Sequence, residues 1–213
     1  MNNKRLKKID YHNQFSEFIS SLDSDYKNTS LSLTNAGSSS LFIKCLINEV
    51  NDHRALNHPY LLKLSKGLLP NIDEAIKDYA NQYSYYSSWF VRYLKGVINS
   101  LPSDRLKSKL MENILEEEGN PNASELKDKP HVEIFNHFKN SIGVDENYIS
   151  KNPASTTSLI WRNLFLQKCD SEFLGIGLGA IGLATEYIVP KIYTFIAEAI
   201  ENHSSFDPGN SLF

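Results

Sequence analysis

NIDEAIKDYANQYSYYSSWFVRYLKGVIN, residues 71–99, places large apolar side chains at Ile72, Ile76, Tyr79, Tyr83, Tyr86, Phe90, Tyr93 and Val97. The steps between them alternate four and three residues, which draws one stripe along a helix and excludes the period of two that a strand requires. The stretch predicts one long amphipathic helix over 71–99. Its dense aromatic group, Tyr83, Tyr85, Tyr86, Trp89 and Phe90, has two readings. The rings pack a helical core, or Tyr83, Tyr86 and Phe90 line a substrate cavity.

Working outward, the same period recurs and no convincing strand interrupts it. Upstream, a helix is expected over Ser40–His53 and a short one over Tyr60–Ser65, closed by Gly67. Downstream, Pro102-Ser103 signals a helix start with Ser103 as N-cap, and Gly119-Asn120-Pro121 stops that helix after Glu118. Further helices are expected over His131–Ser141, Thr156–Lys168 and Glu172–Glu201, with Asp207-Pro208-Gly209 ending the pattern. Residues 1–37 are rich in Asn, Ser, Lys and Asp and read as a polar tail or short helix, leaving 38–213 as one helical domain.

Composition bounds the partners. The 22 Lys+Arg against 25 Asp+Glu leave a net charge of -3, so no global field attracts nucleic acid. The run Lys4, Arg5, Lys7, Lys8 reads as a solvated terminus. Cys45 and Cys169 stand far apart in no metal or redox spacing, and residues 1–22 lack the apolar core of a secretory signal. These features predict a reducing, cytoplasmic setting. Phe173–Ala184 is apolar, but Glu186 and Lys191 interrupt it well short of the roughly 20 residues needed to span a bilayer. It reads as a buried central helix.

Two carboxylates stand out. At about 100° per residue, Leu106, Leu110 and Ile114 lie near 0°, 40° and 80°, and Glu117 falls near 20°, inside that stripe. Glu116 lies outside the stripe and Glu118 at its edge. Glu186 is ringed by Ile181, Leu183, Ala184, Ile188 and Val189, so no rotation of its helix gives it a polar face. Pro190, four residues on, has no N–H for the Glu186 carbonyl and favours a distortion there. An unpaired buried carboxylate costs several kcal/mol, so each needs a cation, a proton or a salt-bridge partner. His131 follows Pro130 at a helix start, whereas His12, His53 and His203 have no supporting context. The glycines of Gly177-Leu-Gly-Ala-Ile-Gly182 match the dinucleotide fingerprint in letters alone. No strand precedes them, so they predict close helix approach and not a nucleotide site.

Taken together, these segments resemble the heme-oxygenase-like proteins, including the thiaminase-like and pyrroloquinoline-quinone-synthase-like branches. Asn57–Gly67 resembles the family's opening, and Asn81–Tyr86 with Phe90 resembles its second helix. Asn113–Gly119 followed by Pro130-His131, and Gly182–Glu186 with Pro190, are similar to ligand segments of the di-iron oxidase branch. The resemblance covers about residues 40–205 and implies an all-α bundle of about seven helices. It implies a non-heme site with Glu117, His131 and Glu186 as metal ligands, holding two irons, with manganese as the other metal that suits such donors.

The family's last helix carries His-x-x-x-Asp-x-x-His, a pattern absent from this sequence, so that helix is expected to be missing or incomplete. The resemblance implies an oxygen-dependent oxidase acting on a small amine-bearing or carboxylic substrate, with dioxygen as co-substrate and no membrane or nucleic-acid partner. A homodimer is expected, to cover the groove left by the missing helix. Two alternatives stand beside it. One is an interaction module that keeps the fold without catalysis, and the other a thiaminase-like hydrolase using Cys169. Heme oxygenase itself is disfavoured, because only His53 is available as a proximal ligand.

Overall fold

The computed structural model describes residues 36–211, and these are helical, with no strand among them. The elements are α1 (Ala36–Asn51), α2 (Pro59–Ser65), α3 (Ile72–Ser87), α4 (Phe90–Ser100), α5 (Asp104–Glu118), α6 (His131–Ser141), α7 (Glu146–Lys151) and α8 (Thr156–Cys169). The chain continues through α9 (Leu174–Leu178), a π-helical segment (Gly179–Tyr187), α10 (Val189–His203) and a short turn, α11 (Pro208–Ser211). None of the described helices is long and apolar enough to cross a membrane. The expected tail and its basic run lie outside the described residues, apart from Ala36 and Gly37, which already belong to α1.

Local chemistry sets the boundaries. The side chains of Asn71, Ser103, Asp145 and Ser155 each accept a backbone N–H of the first turn they cap. Pro59 occupies the first turn of α2, where its missing N–H costs nothing, and the His58 ring accepts from Tyr60 N. Gly67 closes that helix at φ 67°, and a Cβ there would meet the His203 ring at 2.7 Å. Glycine at this point lets α10 lie along α2.

Three expectations need correction. Residues 71–99 are not one helix: the chain breaks at Ser88-Trp89 into α3 and α4. At the break Ser88 N donates to Ser84 O and Trp89 N to Tyr86 O, both at 3.1 Å, so the ladder tightens into a turn. The break turns α4 onto α5 and α8, while α3 stays against α6, α8 and α10. The last predicted helix is likewise divided, into α9, the π segment and α10. Asp207-Pro208-Gly209 does not end the pattern either, because Pro208 opens α11.

Among the described residues two apolar cores result. One gathers Phe90, Tyr93, Val97, Leu106, Ile114 and Phe165 with other side chains of α3, α4, α5, α8 and the π segment. The other gathers Leu64, Ile76, Phe138, Ile142, Ile196 and Ile200 with side chains of α2, α3, α6 and α10. Tyr83, in the middle of α3, packs against both. At the approach to the π segment, a Cβ on Gly177 would lie 3.1 Å from Val97 Cγ2 and 3.4 Å from the Cys169 carbonyl. The glycine-rich stretch therefore serves close approach at Gly177, as its sequence predicts. Gly175 and Gly179 face open space.

Candidate metal centre

The end of α5 and the start of α6 meet through a loop that sequence spacing makes look too long. Gly119 takes φ 46°, and a Cβ there would collide with the Lys129 and Pro130 backbone at 2.6 to 2.7 Å. Asn120 N donates to Asp128 O at 2.8 Å, which closes the base of the loop. A 3-10 turn over Leu126–Asp128 completes the return. Residues 119–130 form a compact excursion with neighbouring ends. Glu117 and His131, fourteen apart in sequence, are thereby brought into contact, His131 Nδ1 lying 2.9 Å from Glu117 Oε1.

Of the three consecutive glutamates, the middle one turns inward, as the stripe predicts. The Glu117 side chain is 20% exposed, whereas Glu116 is exposed and Glu118 pairs with Lys95 at 3.3 Å. Leu106, Leu110 and Ile114 are buried beside it. His131 is 53% exposed. Its hydrogen bond to Glu117 raises its pKa despite the opposing effect of burial, and the charges of Glu117, Glu116 and Glu186 add to the rise.

Glu186 lies in the π segment. Such turns are wider than an α-helix, are rare, and concentrate at functional sites. Here the wider ladder is matched by Thr185, whose hydroxyl donates five residues back to Ala180 O at 3.2 Å. With that proton engaged, the Tyr86 hydroxyl is the donor in its 2.6 Å bond to Thr185 Oγ1. Pro190 sits in the first turn of α10, just past the distortion its missing N–H predicts.

No ion pair reaches Glu186 among the described residues. Its carboxyl is raised from 4.5 to about 7, by burial first and then by the charges of Glu117 and Glu116, with His131 opposing the rise. The salt-bridge reading of this residue thus finds no partner among the described residues.

The three residues expected as ligands are brought to one neighbourhood, but they do not form a finished cage. Among the described residues no three ligand-type side chains stand close enough to hold a metal ion as they are. Glu117 and His131 instead neutralise each other, with Glu186 in electrostatic reach of both. The donor chemistry nevertheless fits a hard or borderline cation. Two carboxylates with mutual repulsion and one imidazole suit iron or manganese.

Around them lies a phenolic wall that the sequence reading identified in part. Tyr86 and Phe90 are buried in the first core, and Tyr83 stands at the seam of both. Tyr193, which that reading missed, donates its hydroxyl to Tyr83 at 3.1 Å. Its one sequence signal is its position about two helical turns past Glu186. Cys169 has no place in this chemistry. It is buried, and burial, with the Asp170 charge adding, raises its thiol to about 12, so the thiolate a hydrolase needs is suppressed.

Comparison with known proteins identifies the family of this helical bundle. Residues 77–212, more than half of the chain, match the family described as iron-containing redox enzymes. The chain belongs to that family. It is also 26% identical over 152 residues to a protein of Chlamydia pneumoniae named 4-aminobenzoate synthase, a match covering 71% of this chain and 63% of that relative's length.

Proposed function

We propose that this protein is an oxygen-dependent, non-heme iron oxidase acting on a small amine-bearing or carboxylic molecule, with Glu117, His131 and Glu186 as iron ligands. One observation carries the reading. Glu117 meets the His131 imidazole at 2.9 Å, and the second carboxylate, Glu186 in the π turn, lies within electrostatic reach of both with no ion-pair partner among the described residues. The family is described as iron-containing, which supports iron over manganese. The relative's name, an aminobenzoate synthase, supports a substrate or product with an amine and a carboxylate.

In this reading bound iron supplies the one-electron chemistry by which dioxygen is reduced. The chain's own residues do the rest. Glu117, His131 and Glu186 would hold the iron, their carboxylates ionised and the Glu117–His131 bond given up to it. Tyr86, Phe90 and their neighbours keep water from the inner side. Three protein donors suffice for one iron, and a second iron requires donors beyond these three. A homodimer is the proposed state in solution.

A second reading, a fold kept for interaction without catalysis, is favoured by the Glu117–His131 bond, which consumes two of the three donors. Anaerobic loading with ferrous iron, then metal analysis and an oxygen electrode, separates the two. The oxidase reading expects bound iron that is lost in Glu186→Gln and His131→Ala, with oxygen uptake on adding aminobenzoate-like or amino-acid substrates. Iron content equal to that of a chelated blank would defeat it.

A further inference from the structure

Thr185, the residue before Glu186, is tied at three points. Its hydroxyl donates to Ala180 O at 3.2 Å, five residues back, and its carbonyl accepts Ile188 N. Its hydroxyl oxygen also accepts from the Tyr86 phenol of α3 at 2.6 Å, across 99 positions of sequence. Both side chains are buried, Thr185 at 7% and Tyr86 at 6% exposure. The Tyr86 ring is itself fixed, because Phe165 of α8 meets it edge-on at 4.9 Å and Tyr93 of α4 lies tilted at 5.3 Å. Side chains packed in this way keep their direction, so the phenol offers its proton at one point.

A π ladder pairs residues five apart, whereas an α ladder pairs residues four apart. Relaxing Gly179–Tyr187 to the α ladder would remove one residue's advance and turn each later side chain by about 100° around the axis. That rotation would carry Thr185 away from Tyr86. It would also carry Glu186 off its inward direction, since the two residues share one backbone segment. The bond to Tyr86 therefore forms in the π register alone, and that register is the one that turns Glu186 inward. Pro190 weakens the competing register. An α ladder would pair the Glu186 carbonyl with residue 190, and proline has no N–H to offer.

We propose that the Tyr86–Thr185 hydrogen bond locks the π register of Gly179–Tyr187 and thereby aims Glu186 at the metal site. The lock rests on the ligand assignment made above. Tyr86 and Thr185 are positioning residues, which act on the metal only through the backbone that carries Glu186. Groups that orient a ligand change metal affinity by about 10–100-fold when removed. Tyr86 belongs to α3 and is buried in the first core, so packing in that core sets the direction of a ligand on the far side of the bond.

The test uses cobalt(II), whose visible bands report ligand geometry, titrated anaerobically into the full chain as a stand-in for ferrous iron. Amide hydrogen exchange of residues 179–187, read on the metal-free chain, reports the register without reference to metal. Tyr86→Phe and Thr185→Val cut the bond from its two ends. Each should weaken cobalt binding by about 10-fold and shift the bands. Each should also speed exchange across 179–187 by about 2–10-fold, the range that one buried neutral hydrogen bond commands. Thr185→Ser keeps the hydroxyl and should retain wild-type bands and exchange. Tyr93→Phe removes a buried hydroxyl of the same core that has no hydrogen-bond partner, and it should match the wild type in both readouts. Thermal melts check that each variant is folded. Wild-type bands and exchange in Tyr86→Phe and Thr185→Val, while Glu186→Gln loses cobalt, would overturn the lock and leave the ligand assignment intact. Faster exchange with unchanged bands would also overturn it, since the bond would then hold the turn without aiming Glu186. Equal losses in Tyr93→Phe would do the same, because packing alone would account for the effect. Wild-type cobalt binding in Glu186→Gln would bring down the ligand assignment itself, and the aiming role with it.

Discussion

Glu117 ends an ordinary α-helix and meets an imidazole at 2.9 Å, whereas Glu186 sits in a π turn and has no ion-pair partner among the described residues. Both carboxylates point inward and approach the same seam. The first is neutralised within the chain, and the second keeps a proton to about pH 7. The contrast teaches that burial alone does not mark a ligand. A buried carboxylate with a local partner is a settled structural feature, whereas one without a partner stores unfavourable free energy that a metal ion can relieve.

The largest expected effect tests the unsettled side. The Glu186 carboxyl titrates near 7 in the folded chain, against 4.5 ordinarily, so the folded protein holds a proton the unfolded chain has lost. The stability tied to this proton is full below about pH 4.5 and lost as pH rises through about 7, a change of about 3 kcal/mol. Glu186→Gln should therefore stabilise the metal-free protein by about 3 kcal/mol near pH 8 and change little near pH 4. Urea melts at both pH values check this. Equal stability of mutant and wild type near pH 8 would remove the contrast between the two carboxylates.

Next in size is the support beneath the π turn. Gly177→Val would drive a side chain into Val97, whose Cγ2 is 3.1 Å from the Cβ position alone. Overpacking of this kind costs about 1–3 kcal/mol, and it should displace the segment that carries Glu186. Denaturant melts report the cost, and weakened cobalt binding reports the displacement. A variant as stable as the wild type would show that α4 does not fix this segment.

The settled side should yield less. His131→Ala removes a half-exposed pair, so the loss should be no more than about 1 kcal/mol. The imidazole pKa is raised above 6.5 by Glu117, so the pair's contribution is full below about 6.5 and lost as pH rises through the raised value. A destabilisation that persists unchanged at alkaline pH would mean that packing, not charge, joins the two residues. Smallest of all is Gly179→Ala, which faces open space and should stabilise by up to about 0.5 kcal/mol in a thermal melt. A marked loss would show that the π turn itself requires glycine.

Much of this was legible in the sequence, for identifiable reasons. The inward turn of Glu117 follows from its angle against Leu106, Leu110 and Ile114, and all three are buried. A distortion at Glu186 is foreshadowed by Pro190, four residues on. The start of α5 follows from Ser103 and its end from Gly119. The break at Ser88-Trp89 was not legible, because the apolar stripe runs through it without a missed step. Tyr193 escaped because nothing local distinguishes it from any other aromatic residue in α10.

The sequence by itself determined the helices, their apolar faces and the presence of two carboxylates with no partner three or four residues away, because these depend on near neighbours along the chain. Only the tertiary structure decided which side chains meet across the fold. The loop from Gly119 to Pro130 brings His131 to Glu117, and the packing of α3 against α10 brings Tyr193 to Tyr83. Such meetings depend on how the loop closes and how helices cross, and no periodicity along one segment encodes either.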